Sequence, residues 1–393
     1  LSHGRMKPSY VKPPHLKPSV MQICLSEGWG GLEMYPSRII PELEAQGWQV
    51  SGLALTGSRV ASSMRDAGIE PLTVRTRGAA LWQLRQILGW LRERDIRLLH
   101  CHKSSDLRLA ALLATLNADL RVIFTDHMGV TRPKKDLYHR WAYGHVSRLL
   151  SISEATRKRN LKAFPLPAER IQRLYLGIDP AALAPRLDAA ERRALRTSLG
   201  IPWDAVTLGV AGRLTPGKGQ RVFVEAFAYL VKEHPELNAH AVVIGGLTAE
   251  EGSREEYVVE LQQLVEQQGL AEHITFTGFR RDLARLFEVL DVVCVPSRNE
   301  AFGLTVVEAM AAGKAVIGSA SGAIPELINT HSGRLADPET PREWANAMLE
   351  LVGDANLRAS LGDNASERVF TYFRMSTHIA ALVDVYQDVL DQQ

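Results

Sequence analysis

The chain alternates between short unbroken apolar runs and longer stretches whose apolar positions recur every three or four residues. Val20–Leu25, Val50–Leu55, Arg97–His100, Arg121–Thr125 and Leu149–Ser153 have the first character and predict buried strands, the last of them closing the first half. Between them a helical repeat passes through Leu32, Pro36, Ile39, Ile40 and Leu43 to a stop at Gly47, and recurs over Trp82–Arg94 and Leu107–Leu116. Ser153 and Glu154 then open a further helix. The second half repeats the alternation, with strands at Val206–Ala211, Ala241–Gly245, Ile274–Gly278, Val292–Pro296 and Ala315–Ser319. Its helices fall at Gln220–Lys232, Glu255–Gln267, Leu283–Leu290 and Val306–Ala312, the last ended by Gly313, and the tail Arg342–Leu390 is helical. Strands alternating with helices predict an α/β architecture of parallel, doubly wound sheets, with ligands bound beyond the carboxyl ends of the strands. The halves repeat an architecture and not a sequence.

Composition narrows the class. A length of 393 residues suffices for two domains, and 46% hydrophobic with 23% charged residues is the balance of a globular protein. No apolar run approaches the roughly 18 to 20 residues that span a bilayer. Cys24, Cys101 and Cys294 are odd in number and far apart, which argues against a disulfide framework or zinc site and fits a reducing cytoplasm. The Pro- and Lys-rich start, through Ser19, has no apolar core of a signal peptide and reads as a loose arm. The net charge of +2 conceals an asymmetry: residues 1–180 hold 27 Lys+Arg against 15 Asp+Glu, and the remainder holds 19 against 29. A basic first half suits an anionic partner or a membrane surface, and equally suits attraction to the second half. No nucleic-acid recognition motif accompanies the charge, so no nucleic-acid partner is expected.

The densest chemistry lies in Ser297–Gly313, SRNEAFGLTVVEAMAAG. Glu300 stands in a loop, Phe302, Gly303, Leu304 and Thr305 follow, and Glu308 comes one turn inside a helix. The free N–H groups of a helix start, with its dipole, suit a phosphate, and a glycine lets a ligand approach the backbone. Two carboxylates beside them would accept hydrogen bonds from hydroxyls, so the stretch suits a molecule carrying both hydroxyls and phosphate. Either glutamate alone reads as a solvated surface residue. Arg213 and Lys218 in GRLTPGKG place two cations on a glycine-flexible loop at a strand end, without the G-x4-G-K-[ST] of a Walker A loop. Gly30 and Gly31 lie between a strand and a helix, as a tight turn or as a loop that points a helix N-terminus at a ligand. His127 lies at another strand end, where a neutral imidazole suits a sugar hydroxyl or a structural role. His100 and His102 share one strand face without an obvious third metal ligand, and His102 is placed to line a cleft. Arg132, Lys134 and Lys135 beside Tyr138 and Trp141 suit an anionic headgroup, or a solvated loop on a half-buried helix.

Glu300 and Glu308 around FGLTVVE, within PSRNEAFGLTVVEAMAAGKAVIGSASGAIPELI, resemble the E-x7-E motif of retaining glycosyltransferases, especially glycosyltransferase family 4. Gly30, Gly31 and Glu33 resemble that family's GG-x-E loop, TDHMG its TEHG-like segment, and GR-x4-KG its donor-binding loop. Phe279 and Arg280 in TGFRRD match the position whose backbone meets the nucleotide base. Two departures stand out. Leu176 replaces the usual Asn before GID, and Ala323 replaces a glycine in the SGAIPE turn, where Glu326 reads as structural. The resemblance extends over nearly the whole chain. It implies the GT-B fold: a Rossmann-like acceptor domain at 1–180, a nucleotide-sugar donor domain at 181–376, a cleft between them, and 377–393 crossing back onto the first.

It further implies retaining, metal-independent transfer from a nucleoside diphosphate sugar such as a UDP-sugar, without a cofactor; no D-x-D is present. His127, Arg213, Lys218 and Glu300 would act at the reacting centre. Gly30, Gly31, Phe279, Arg280, Phe302 to Thr305 and Glu308 would bind substrate. The expected acceptor is an anionic glycolipid or glycan, as in lipopolysaccharide or cell-surface polysaccharide synthesis, handled in the cytoplasm at the inner leaflet. A nucleotide-sugar epimerase, a phosphorylase on the same fold and a non-catalytic binding module are the alternatives.

Overall fold

The computed structural model describes residues 17–130 and 132–392. The loose arm expected at the start lies, up to Leu16, outside them. The first half runs β1 (Ser19–Cys24), α1 (Gly31–Ala45), β2 (Gln49–Leu55), α2 (Arg59–Asp66), β3 (Leu72–Val74), α3 (Arg77–Trp82) and α4 (Leu84–Glu93). It continues with β4 (Leu98–Cys101), α5 (Leu107–Leu116), β5 (Arg121–Asp126), α6 (Leu137–Gly144), β6 (Val146–Ser151), α7 (Glu154–Ala163) and β7 (Ile171–Arg173). All seven strands are parallel, in the order β3-β2-β1-β4-β5-β6-β7.

The second half runs α8 (Ala189–Ser198), β8 (Val206–Ala211), α9 (Gln220–Glu233), β9 (Ala239–Ile244), α10 (Glu255–Gln267), β10 (Ile274–Phe276) and α11 (Leu283–Val289). Then come β11 (Val292–Val295), α12 (Leu304–Ala311), β12 (Ala315–Ser319), α13 (Ile324–Leu327), β13 (Arg334–Ala336), α14 (Pro341–Gly353), α15 (Ala355–Tyr372) and α16 (Met375–Asp391). Its six parallel strands are ordered β10-β9-β8-β11-β12-β13. In both sheets the winding reverses beside the first strand, between β1 and β4 and between β8 and β11. Those reversals leave a crevice at the strand ends, where a ligand can enter between diverging loops.

The central strands form because both of their faces are covered. Every residue of β1 is buried, with helices packed on each side. Several boundaries differ from the sequence pattern. Trp82–Arg94 is not one helix: it divides at Gln83, and Trp82 is 92% exposed, so the apolar repeat there includes a residue that packs on nothing. β6 is not the last strand of its half, because β7 adds an edge of which only Ile171 is buried, too short to leave a run. α12 starts at Leu304, two residues early, because Gly303 takes φ +104° and turns the chain directly into the helix.

The chain passes between the halves twice, and the two passages lie side by side. Ile178 N–H donates to Phe373 O at 2.9 Å, and Met375 N–H donates to Ile178 O at 2.7 Å. A Cβ on Gly177 would stand 2.6 Å from Arg374 O, so this approach requires glycine. Beyond it α16 lies against the first half. Its Leu382, Val385 and Val389 join Ile39, Ile40 and Leu43 of α1 in one core, and Tyr386 packs edge-on to Trp48 at 5.1 Å. Among the described residues no helix is long and apolar enough to cross a membrane.

Candidate active site

A cleft of about 450 Å³ opens where the two topological reversals face each other. The first turn of α1 supplies Gly31 and Glu33, the loop after β4 Lys103, and the loop after β5 His127 and Met128. From the second half, the loop after β8 supplies Arg213 and Lys218, and that after β11 runs from Glu300 to Thr305. Each of these is the strand-end position at which side chains leave a parallel sheet toward solvent.

Two helix starts meet across this space. α1 begins at Gly31 and α12 at Leu304, and a Cβ on Gly31 would lie 3.7 Å from Leu304 Cδ1. Val306 N–H and Val307 N–H turn back onto Gly303 O, leaving the amides of Leu304 and Thr305 outside the helical ladder. Lys218 Nζ bonds Glu300 Oε1 at 2.5 Å with both side chains half-buried, while Arg213 is exposed at the rim. The Glu300 loop is held from below: Ala323 N–H donates to Glu300 O at 2.9 Å, and Gly322, at φ +63°, packs so closely that a Cβ would stand 2.6 Å from that oxygen.

Glu308, one turn into α12, is not among the residues that line this cleft. It has no hydrogen-bond partner among the described residues; burial raises its pKa, and Arg38 of α1 opposes the rise. Gly30 caps α1 just outside the lining, whereas Phe302, though 3% exposed, is part of it. Phe279 and Arg280 are not brought to the cleft. They sit past β10, Phe279 half exposed and Arg280 bound to Asp282 through two contacts of 2.7 and 2.8 Å. His127 is 8% exposed, and burial pushes its pKa down to about 3, so it is neutral near pH 7. His102 is 1% exposed and stands behind His127, not on the wall: its Nδ1 is 3.3 Å from His127 Nε2.

Lys103, absent from the sequence reading, belongs to the site. Lys103 Nζ donates to Ser26 Oγ at 2.9 Å and lies 3.8 Å from Glu33. With Glu33 it also lines an adjoining cavity of about 530 Å³, whose other walls include Ser26, Thr76 and Arg77. Leu176, the departure noted in the linker, lines the cleft floor. Lys103 lies two residues past the end of β4, so the strand-end rule alone could have flagged it. A hollow of about 440 Å³ around Arg192, Trp203 and Lys314 is remote from these strand ends. Its carboxylates are already engaged, Glu288 by the Arg186 and Leu187 amides and Asp291 by Arg196 and Thr207.

Glu326 also reaches farther than its sequence suggests. Its carboxylate accepts from the Glu154 and Ala155 amides at 2.8 Å each, capping α7 from the opposite half, and from the Tyr175 hydroxyl at 2.9 Å.

Comparison with known proteins agrees with this architecture. A family described as Glycosyltransferase Family 4 matches residues 29–182, and one described as Glycosyl transferases group 1 matches residues 191–368. The D-inositol 3-phosphate glycosyltransferase of Corynebacterium kroppenstedtii is 30% identical over 249 residues, 63% of this chain and 54% of that protein. The chain spans about half the length of the curated relatives it matches. Among solved structures, a glycosyltransferase from Rickettsia africae ESF-5 has a TM-score of 0.85 at 17% identity, covering 96% of this chain and 100% of its own. Anabaena HepE in complex with UDP and glucose has a TM-score of 0.77 at 22% identity, covering 95% and 100%. At such identities the likeness concerns the fold. With its two halves matched in turn and its architecture shared along almost its full length, the chain belongs to the GT-B glycosyltransferases that join a family 4 domain to a group 1 domain.

Proposed function

We propose that this chain transfers a hexose-type sugar from a nucleoside diphosphate sugar to a hydroxyl of an anionic glycan or glycolipid, with retention of anomeric configuration. The observation that carries the reading is the Lys218–Glu300 pair set between two facing helix starts. As the bond from the anomeric carbon to the diphosphate breaks, negative charge grows on the leaving oxygen. Lys218, Arg213 and the amides near Gly31 and Thr305 meet that charge with groups already oriented for it. The acceptor oxygen attacks the same face of the sugar, and its proton passes to the departing phosphate. No divalent ion enters this scheme. Glu300 accepts hydrogen bonds from sugar hydroxyls, and Glu308, a carboxylate without a partner, takes the ribose. The uridine preference draws on the Anabaena structures, which hold UDP and UDP-glucose.

The acceptor would occupy the adjoining cavity, where Arg77 and Lys103 suit a phosphate or carboxylate. The relatives named for D-inositol 3-phosphate carry a phosphorylated acceptor in their name, which accords with that chemistry. A lipid-linked acceptor of lipopolysaccharide or surface-polysaccharide type accords with a second feature. Met128, Leu137, Tyr138 and Trp141 are exposed beside Arg132, Lys135 and Arg140, a mixture that suits the anionic inner leaflet of a membrane.

Thermal melts with UDP-, GDP- and ADP-sugars, in chelator, test the reading. A donor at a hundredfold excess over Kd should stabilise the protein by about 2.7 kcal/mol. Lys218→Ala and Glu300→Ala should remove that response, and the wild type should then transfer the sugar to a phosphorylated acceptor. A donor bound without transfer to any acceptor would favour the binding-module alternative; no response to any donor would overturn the proposal.

A further inference from the structure

Behind the cleft wall lies a cluster of buried rings that the scheme above leaves unused. His100 lies near the end of β4 and His102 just past it, His127 follows β5, Tyr35 lies on α1, and His378 and Tyr386 lie on α16; none is more than 8% exposed. Burial holds all four imidazoles below their ordinary value, His127 to about 3 and His378 to about 4, so each is neutral and carries a single N–H.

With one proton per ring, the orientation of the Gln22 amide sets where each proton sits, and as the amide stands its Nε2 faces Tyr386 and its Oε1 faces His102. Gln22 Nε2 donates to the Tyr386 hydroxyl at 3.1 Å, so that hydroxyl spends its own proton on His100 Nδ1 at 2.6 Å, and His100 Nε2–H donates to Thr125 Oγ1 at 2.7 Å. The other end of the Gln22 amide, Oε1, accepts His102 Nε2–H at 2.8 Å. His102 Nδ1 is therefore a lone pair, and it accepts His127 Nε2–H at 3.3 Å. His127 Nδ1 is left without a proton. It is also the one ring nitrogen of these four histidines with no partner among the described residues, on a residue that lines the cleft. Turning the Gln22 amide over would reverse every bond in the branch and place the proton on His127 Nδ1. One amide thus decides whether the cleft meets an acceptor or a donor.

We propose that α16, through Tyr386, Gln22 and His102, sets the tautomer of His127, so that an unprotonated Nδ1 accepts a hydrogen bond from a hydroxyl of the bound sugar. Tyr386, Gln22 and His102 are positioning residues, and only the sugar as the group met by Nδ1 rests on the proposed function. α16 arrives from the second half through the paired passages, so the C-terminal helix has a chemical effect on a wall built by the first half.

Histidine 15N resonances of the whole chain test this without substrate, with His127 assigned by its loss in His127→Gln. The wild type should show His127 protonated on Nε2 at pH 7. Gln22→Met removes the acceptor for His102 Nε2–H, so His102 should take the other tautomer and drive the His127 proton onto Nδ1. Tyr386→Phe frees the amide to turn, and should mix the two forms. Melts of both variants report whether the fold persists. Where transfer is measurable, Gln22→Met should lower kcat by roughly tenfold or more with little change in donor KM, as misplacement of a positioned group does. A wild-type proton on Nδ1, or folded variants with unchanged His127 signals, would overturn the relay. The expected signals in a protein that transfers no sugar would uphold the relay and sink the proposed reaction instead.

Discussion

The buried imidazoles give stability a pH dependence whose sign follows from their burial. His100, His102, His127, His240 and His378 all have depressed values in the folded chain, His240 near 4. Below the ordinary histidine value the unfolded chain binds protons at these positions and the folded chain does not, so stability falls as pH drops from about 7 toward 4. Asp106, Asp126 and Glu308 act in the opposite sense, because burial raises them, Asp106 to about 6; they are fewer and only partly offset the loss. Removing one histidine should therefore flatten the curve. In His127→Gln the slope of unfolding free energy between pH 4 and 6 should shrink by about 1.4 kcal/mol per pH unit. Denaturant unfolding across that range measures it, and an unaltered slope would contradict the neutral state assigned to His127. The wall-lining residues His127, Arg213, Lys218 and Glu300 were legible in the sequence because each sits in a local motif at a strand end. The chain of contacts behind His127 was not. Gln22 and Tyr386 are 364 positions apart, and no local periodicity records a contact made by a helix that returns from the other half.

At the level of elements, the strand-end loops hold their shapes by close backbone approach. Gly322 belongs to the turn into α13, yet its absent Cβ makes room for the backbone of Glu300. Gly322→Ala meets both a positive φ and that backbone, so it should destabilise by more than about 1 kcal/mol and weaken the donor's thermal response. Gly89→Ala is the contrast: it lies within α4 with nothing inside 4 Å of its Cβ, and it should stabilise by roughly 0.5–1 kcal/mol. Melting both variants with and without UDP-sugar checks the pair; equal effects would mean that Gly322 does not hold the loop. The buried strands β1, β8 and β11 were readable as unbroken apolar runs. β3, β7 and β13 were not, because three residues at a sheet edge, partly facing solvent, leave too short a pattern.

For the whole molecule, the oppositely charged halves and the Glu326 contacts bear on how the cleft opens. Glu326 caps α7 across the gap, so Glu326→Ala removes an acceptor from two amides and a hydroxyl at once. It should cost about 1–2 kcal/mol and enlarge the radius of gyration in solution scattering, while circular dichroism stays unchanged. An identical scattering curve would assign Glu326 to local capping only. The architecture of two wound sheets was legible from the alternation of strands and helices, whereas this bond across the gap was not, since an isolated glutamate in a turn carries no mark of its partner.

The side-by-side passages at Ile178 and Arg374 make a strap of two plies, laced by backbone bonds. A rotation of one half against the other must twist both plies together, so the axis lies along the strap and displacement grows with distance from it. Leu176 is two residues from that axis and forms part of the cleft floor. The inner margin of the cavity would then keep its shape like the spine of a book, while the pages that bear Gly31 and Leu304 swing apart to admit a donor and together to enclose it.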